Sequence, residues 1–396
     1  VESHAEAGDA PEAEESPSTA EPDDEPAEFD GKIPNIAQLA PYPDAEDLLA
    51  HAKVDKEGRY WSERQGKAVP LTLDAHLQAS VESLLRNYSP PYAAVAAIDP
   101  STGKVLALAQ YSKDAPSVKA LSLRAVYPAA SVFKLVTAAA LLEQGVDPEQ
   151  QVCFHGGKHR LQAKLLQDSP GDSRCYDMTD AMAKSANVVF AKLASKHLTP
   201  ELLRTEAGRF GFNRELSFDQ PMEKSAANIP DEAFPFANTA AGFGQVFLSP
   251  LHGALLAASV ADHGDMPTPY LIDEQKPTTP VRKKVMDSKV ADEIGEMMAR
   301  TISGGTAKRA FHDRGRPAMQ GIEVAGKTGS LNEHNPFHDY TWFVGFAPKE
   351  QPTIALAVVV VNGPLWRVRA PYVARETFRS FLFPEPTRSK KAQARR

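Results

Sequence analysis

The stretch from Ser131 to Gln144 limits this chain more than any other. Val132, Phe133, Leu135, Val136, Ala138, Ala139, Ala140, Leu141 and Leu142 make it apolar on every side. Pro128 ahead of it and Gly145 behind it bound it as one helix. A helix of that kind has to be buried, so the chain must build a core deep enough to surround it. Its one charge, Lys134, falls in the first turn. An ammonium removed from water is costly unless paired or deprotonated, and desolvation together with a helix N-terminus lowers a lysine pKa. Ser131 precedes it by three residues, hence on the same helix face, at an end where backbone N–H groups lack intrahelical partners. A hydroxyl beside a neutral amine, with N–H donors nearby, suits an activated nucleophile and an oxyanion site. The competing reading extends Lys134 to solvent and leaves Ser131 as a cap.

The remaining sequence can supply such a core. A length of 396 residues allows two or three compact units, and a hydrophobic share of 42% suits an ordinary globular core. Charge gathers at the ends: residues 1–30 hold twelve Asp/Glu and no Lys/Arg, residues 388–396 five Lys/Arg and no acid, and the body between is neutral. A neutral body argues against nucleic acid as a partner. No apolar run approaches the roughly 18 residues of a membrane span. The composition divides the chain into a disordered acidic linker at 1–31, an N-terminal extension at 32–67, a folded domain at 68–384 and a basic disordered tail at 385–396, with order beginning near Leu71. Because the numbering starts at Val1 rather than Met, a leader or N-terminal membrane anchor is expected to be missing.

Within the folded part, Leu77, Val81, Leu84 and Leu85 mark an amphipathic helix. Strand-like residues 92–99 and 104–109 flank the turn Asp99-Pro-Ser-Thr-Gly103. Residues 178–247 read as helices and loops, 251–261 and 288–302 as helices, 322–330, 340–347 and 353–361 as strands, and 372–381 as a closing helix. Two early and three late strands predict one antiparallel sheet drawn from both ends of the chain, with the helical middle as a second lobe. A cleft between lobes is the expected substrate site.

Two further clusters bear on chemistry. Lys327-Thr328-Gly329 lies on a predicted strand, where the glycine permits close approach and a Lys with a hydroxyl suits a carboxylate. The same Lys would also suit a solvated strand edge. Ser185-Ala-Asn187 offers a hydroxyl and an amide to the cleft, or a helix cap. None of these patterns is specific alone: Ser-x-x-Lys arises about once or twice in a chain of this composition. Ser101-Thr-Gly-Lys104 and Ser330-Leu-Asn332 imitate two of the motifs.

Taken in order, Ser131-Val-Phe-Lys134, Ser185-Ala-Asn187 and Lys327-Thr-Gly329 resemble the active-site triplet of penicillin-binding proteins and serine β-lactamases. Leu71-Thr-Leu-Asp74, Ala97-Ile-Asp-Pro, Gly242-Phe-Gly-Gln245, Ser303-Gly-Gly-Thr306 and Trp342-Phe-Val-Gly-Phe-Ala-Pro348 extend the resemblance over residues 68–384. It implies an α+β fold, a five-stranded antiparallel sheet flanked by helices beside an all-helical lobe. It also implies a serine D,D-transpeptidase that cross-links peptidoglycan and is acylated by penicillin. Ser131 would be the nucleophile, Lys134 its base and Ser185 a proton relay. Asn187 would bind the acyl-side amide, while Lys327 and Thr328, beside Gly329, would bind the substrate carboxylate. Backbone N–H groups of Ser131 and Ser330 would form the oxyanion hole. Ala186 in the middle motif, with no Glu-x-x-x-Asn between 188 and 326, favours a transpeptidase over a class A β-lactamase.

The alternatives are a D,D-carboxypeptidase or β-lactamase, or a non-catalytic β-lactam sensor or cell-wall scaffold. The implied partners are stem peptides, β-lactams and cell-wall assembly proteins; the implied place is the bacterial envelope, outside the cytoplasm and tethered to the inner membrane. No metal or organic cofactor is implied. An extracytoplasmic setting favours a Cys153–Cys175 disulfide over a metal site made with His155 and His159. Glu333-His-Asn-Pro-Phe-His338-Asp339 reads as a polar loop at the cleft rim rather than a metal site.

Overall fold

Runs of small and β-branched residues with no polar alternation form strands covered on both faces. Such runs make β1 and β5 of a five-stranded central sheet, whose strands are β1 (Tyr92–Ile98), β2 (Val105–Ser112), β3 (Ala325–His334), β4 (Phe337–Ala347) and β5 (Ile354–Asn362). They are antiparallel in the order β3-β4-β5-β1-β2, so strands from both ends of the chain meet at the β5–β1 pair, with Val358 opposite Val95. The computed structural model describes residues 32–43, 47–156, 161–276, 278–365 and 367–384. The expected acidic linker and basic tail lie outside the described residues.

The α-helices are α1 (Ala75–Tyr88), α2 (Lys134–Glu143), α3 (Met178–Ala183), α4 (Asn187–His197), α5 (Pro200–Arg209), α6 (Ala233–Ala240), α7 (Pro250–Ala261), α8 (Ser288–Gly304) and α9 (Ala370–Leu382). On one face of the sheet, Leu77, Val81 and Leu85 of α1 and Val373 and Phe378 of α9 cover Ala93, Val95, Val358 and Val360. The opposite face packs on α7, which is buried along its whole length. A Cβ on Gly253 of α7 would lie 2.8 Å from the Ala357 side chain, so the missing side chain sets how closely helix and sheet approach. Helix α2 lies among α4, α5 and α8, and each residue from Lys134 to Leu141 is buried.

Three expectations are corrected. Order begins well before Leu71: short strands Lys53–Val54, Tyr60–Arg64 and Lys67–Pro70 form a meander, and Ile33, Ile36, Tyr42 and Leu48 enter the main core. These strands are short, and all of their residues but Ser62 are exposed or half-buried, so no apolar alternation announces them. Arg124 fastens this region by donating to the Ala40 carbonyl at 2.6 Å and pairing with Glu223 at 2.5 Å. The Ser131–Gln144 segment is not one helix; it opens as a 3-10 turn, Ala130–Phe133, before α2 begins at Lys134. Glu333–Asp339 is not a loop, because β3 and β4 pair as far as His334 opposite Phe337.

Cys153 and Cys175 face each other on the paired strands Val152–Phe154 and Arg174–Tyr176 and are joined by a disulfide. That bond consumes the thiolates a metal would need. His155 Nδ1 instead lies 2.5 Å from Asp172 Oδ1, and His159 is outside the described residues. Among the described residues, no helix is long and apolar enough to cross a membrane, and no cluster suits a metal ion.

Candidate active site

The site forms where the 3-10 turn, the α3–α4 junction and β3 converge. Each contributes a hydroxyl or amine through a local backbone feature. Ala130 precedes the serine with φ +47°, and Gly242, at φ +99°, presses against the same turn. A Cβ on Gly242 would fall 2.5 Å from the Ala130 carbonyl oxygen and 3.0 Å from Ser131 Cα. Helix α3 ends with Ser185 in the left-handed region at φ +54°, its N–H bonded to Met182 O, which turns the chain sharply into α4 at Asn187. Non-glycine residues held at positive φ cost energy and persist where surrounding packing enforces them.

Lys134 is fully buried, and its Nζ lies 2.8 Å from Ser131 Oγ and 2.7 Å from Asn187 Oδ1, with the Ala241 carbonyl as a third neighbour. Burial first, and the charge of Lys327 second, hold this amine well below the ordinary lysine value. A neutral amine has two hydrogens and one lone pair. The amide and carbonyl oxygens can only accept, so they take the two N–H groups, and the lone pair is left for the Ser131 hydroxyl to donate into. The rings of Phe190 and Phe243, each 5.8 Å away, keep water from the amine. Lys134 therefore does not extend to solvent, and Ser131, 7% exposed, retains one open side.

Lys327 is also fully buried. Its Nζ donates to Ser185 Oγ and to the Thr328 carbonyl, both at 2.8 Å, and burial brings its pKa down to about 7. Thr328 Oγ1 lies 2.5 Å from Thr306 Oγ1, within the Ser303–Thr306 stretch. At Gly329 the nucleophile turn and β4 pack closely: a Cβ there would sit 3.2 Å from Trp342 Cβ and 3.4 Å from the Ala129 carbonyl oxygen. Trp342, opposite Gly329 on β4, donates its indole N–H to Pro128 O at 2.8 Å and so ties the sheet to the segment that leads into the Ala130–Phe133 turn. Ser330 is exposed on β3, the outermost strand of the sheet.

The structure thus brings Ser131 and Asn187 to the Lys134 amine and Ser185 to the Lys327 amine, with Thr328, Gly329 and Ser330 following on β3, and the disulfide lies on a separate pair of strands. Ser101 and Lys104 are at the β1–β2 turn, where Ser101 bonds Asp99 instead. In the sequence, Gly242, Thr306 and Trp342 figure only as parts of the resemblance, without a role, and the Ala241 carbonyl is not singled out. Backbone atoms and cross-strand contacts have no signature in one sequence.

A serine hydroxyl 2.8 Å from a buried amine whose pKa burial lowers, with a second buried lysine behind a second hydroxyl, suits serine acyl transfer. The family model described as the penicillin binding protein transpeptidase domain matches residues 93–382, and the chain belongs to that family. Among curated relatives, peptidoglycan D,D-transpeptidase PbpA of Mycobacterium tuberculosis is 28% identical over 347 residues, covering 76% of this chain and 68% of that protein. Stage V sporulation protein D of Bacillus subtilis is 26% identical over 341 residues, covering 78% of this chain and 52% of that protein. The penicillin G acyl-enzyme complex of M. tuberculosis penicillin-binding protein A superposes with a TM-score of 0.60 at 25% identity, covering 79% of each chain. The D,D-transpeptidase domain from Eggerthella lenta shares the fold with a TM-score of 0.66 at 21% identity, over 86% of this chain and 91% of that one.

Proposed function

We propose that this chain is a serine-type D,D-transpeptidase of bacterial peptidoglycan. Ser131 gives its proton to Lys134 and attacks the carbonyl of the penultimate D-Ala of a stem peptide. The tetrahedral oxyanion is held by backbone N–H groups of Ser131 and Ser330, and collapse expels the terminal D-Ala as its amine takes up a proton through Ser185. Asn187 orients the acyl-side amide while Lys327 and Thr328 hold the terminal carboxylate, with Gly329 allowing the peptide to lie against β3. An acceptor amine then attacks the ester, closing the cross-link and freeing Ser131. A β-lactam enters the same sequence, but its leaving group stays attached and the ester persists.

The observation that carries this reading is the fully buried Lys134 amine, with Nζ 2.8 Å from Ser131 Oγ, 2.7 Å from Asn187 Oδ1 and against the Ala241 carbonyl. Relatives named as D,D-transpeptidases and the penicillin acyl-enzyme of a structural neighbour support the substrate class. The domain spans 68–384, with 32–67 as an extension packed on its core. The place of action is the cell envelope outside the cytoplasm, with tethering to the inner membrane and cell-wall assembly proteins as partners. Incubation with a fluorescent penicillin tests the reading: the wild type should carry one covalent adduct on the Ser131 peptide, and Ser131→Ala none. A wild type that takes no label would remove the enzymatic assignment, and rapid repeated hydrolysis of nitrocefin would replace it with a β-lactamase.

A further inference from the structure

Thr328 does not meet the cleft alone. Its Oγ1 lies 2.5 Å from Oγ1 of Thr306, which comes from the turn after α8. That turn is fixed by its main chain. Gly305 N–H and Ala307 N–H both donate to the Thr301 carbonyl at 3.2 Å, and Lys308 N–H donates to Gly305 O at 3.1 Å. Thr306 N–H donates to the Ala183 carbonyl at 3.0 Å, at the end of α3 and two residues ahead of Ser185. A Cβ on Gly305 would fall 2.7 Å from the Ala183 carbonyl carbon, so the missing side chain lets the turn press against α3. Thr306 is thus tied by its backbone to α3, which leads into Ser185, and by its hydroxyl to β3. Thr328 is 8% exposed, and Thr306 is exposed.

The direction of the hydrogens in this pair decides how well the site can bind an anion. A threonine hydroxyl has one hydrogen and two lone pairs, and an ionised carboxylate only accepts. Under the proposed function, on which this inference rests, Thr328 spends its single hydrogen on the substrate carboxylate. It cannot also donate to Thr306, so Thr306 is the donor within the pair. With the opposite polarity, a lone pair of Thr328 would face the incoming anion. We infer that Thr306 is a positioning residue: by donating into Thr328 Oγ1, it turns the Thr328 hydrogen toward the substrate carboxylate and gives the site its selectivity for a free C-terminus. Hydrogen bonds in series polarise one another, so a hydroxyl that accepts is the better donor. A carboxamide in place of the carboxylate can accept or donate, and it bonds to Thr328 whichever way the hydroxyl points.

The test uses the full chain and two acyl donors that differ only at the C-terminus, one ending in D-Ala-D-Ala and the other in the D-Ala-D-Ala amide. The carboxylate-to-amide ratio of their acylation kcat/KM values reads the direction of the hydroxyl. Thr306→Val, which keeps the shape and removes the hydroxyl, should lower that ratio by about tenfold, chiefly through KM of the carboxylate donor. Thr306→Ser should keep the wild-type ratio. Because Thr306 acts through Thr328, adding Thr306→Val to Thr328→Val should lower the ratio no further than Thr328→Val alone. A wild-type ratio near one would overturn the inference, as would an unchanged ratio in Thr306→Val, its loss in Thr306→Ser or a further fall in the double variant. Penicillin labelling of the wild type is read alongside: its failure sinks the transpeptidase reading, whereas normal labelling with an unchanged ratio in Thr306→Val sinks only the role of Thr306.

Discussion

Replacing Lys134 by Met is the sharpest perturbation of this site, since it keeps the bulk of the side chain and removes the lone pair. Loss of a positioned general base costs about 10²–10⁴ in rate, or roughly 3–5 kcal/mol on the acylation barrier. The folding consequence is smaller because two contributions oppose one another. Asn187 Oδ1 and the Ala241 carbonyl each lose a donor, at about 1–3 kcal/mol per orphaned group, while the protein no longer has to bury a lysine. We therefore expect unfolding free energy to move by no more than about 3 kcal/mol while acylation nearly ceases. Stopped-flow penicillin binding gives the rate, intact-protein mass spectrometry the adduct, and urea melts the stability. Acylation within tenfold of wild type in a folded Lys134→Met protein would refute Lys134 as the base. The wild-type rate should also fall with decreasing pH as Lys134 takes up a proton. Because the charge of Lys327 depresses Lys134, Lys327→Gln should raise the Lys134 pKa and move the acid limb of that profile to higher pH.

Lys327 carries a stability signature of its own. Its folded pKa of about 7 lies below its ordinary 10.5, so the cost of burying the charge is fully present below pH 7 and is relieved as the pH rises toward 10.5. Between pH 7 and 9 this contributes roughly 2 kcal/mol of added stability. That rise should vanish in Lys327→Met when urea melts at pH 6, 7 and 9 are compared; parallel curves would contradict it. Gly242→Ala places a Cβ 2.5 Å from the Ala130 carbonyl at a backbone angle that favours glycine. We expect penicillin labelling slowed by tenfold or more, and an unaltered rate would show that the turn tolerates displacement. Reducing Cys153–Cys175 reopens a sequence separation of 22, worth about 3 kcal/mol by chain entropy, so the melting temperature should drop by several degrees with dithiothreitol. An unchanged melt would mean that the bridge does not stabilise the fold.

The chain alone determined a good deal, because some constraints are local. A helix apolar all round with one lysine had to be buried, and 3.6-residue periodicity put Ser131 on the same face as Lys134. The sheet strands were legible, most of them as apolar runs and β3 as the strand-like stretch that carries Lys327-Thr328-Gly329, and their early and late positions implied a single sheet. Less local features were hidden. The 53–70 meander escaped because its strands are short and wet, and the 3-10 start of the catalytic helix because capping and hydrophobic pattern do not distinguish it from an α-helical turn. Lys327 and Ser185 are separated by 142 positions, yet their side chains meet at 2.8 Å. Only the folded sheet and the left-handed turn at Ser185 bring them together. Tertiary structure likewise decided the protonation logic: whether a lysine is a surface cation or a base depends on which atoms exclude water from it and which acceptors take its hydrogens. Those atoms here, the Ala241 carbonyl, Asn187 Oδ1 and two phenylalanine rings, arrive from segments distant in sequence, because excluding water from an amine requires neighbours on every side and one helix face supplies only some of them.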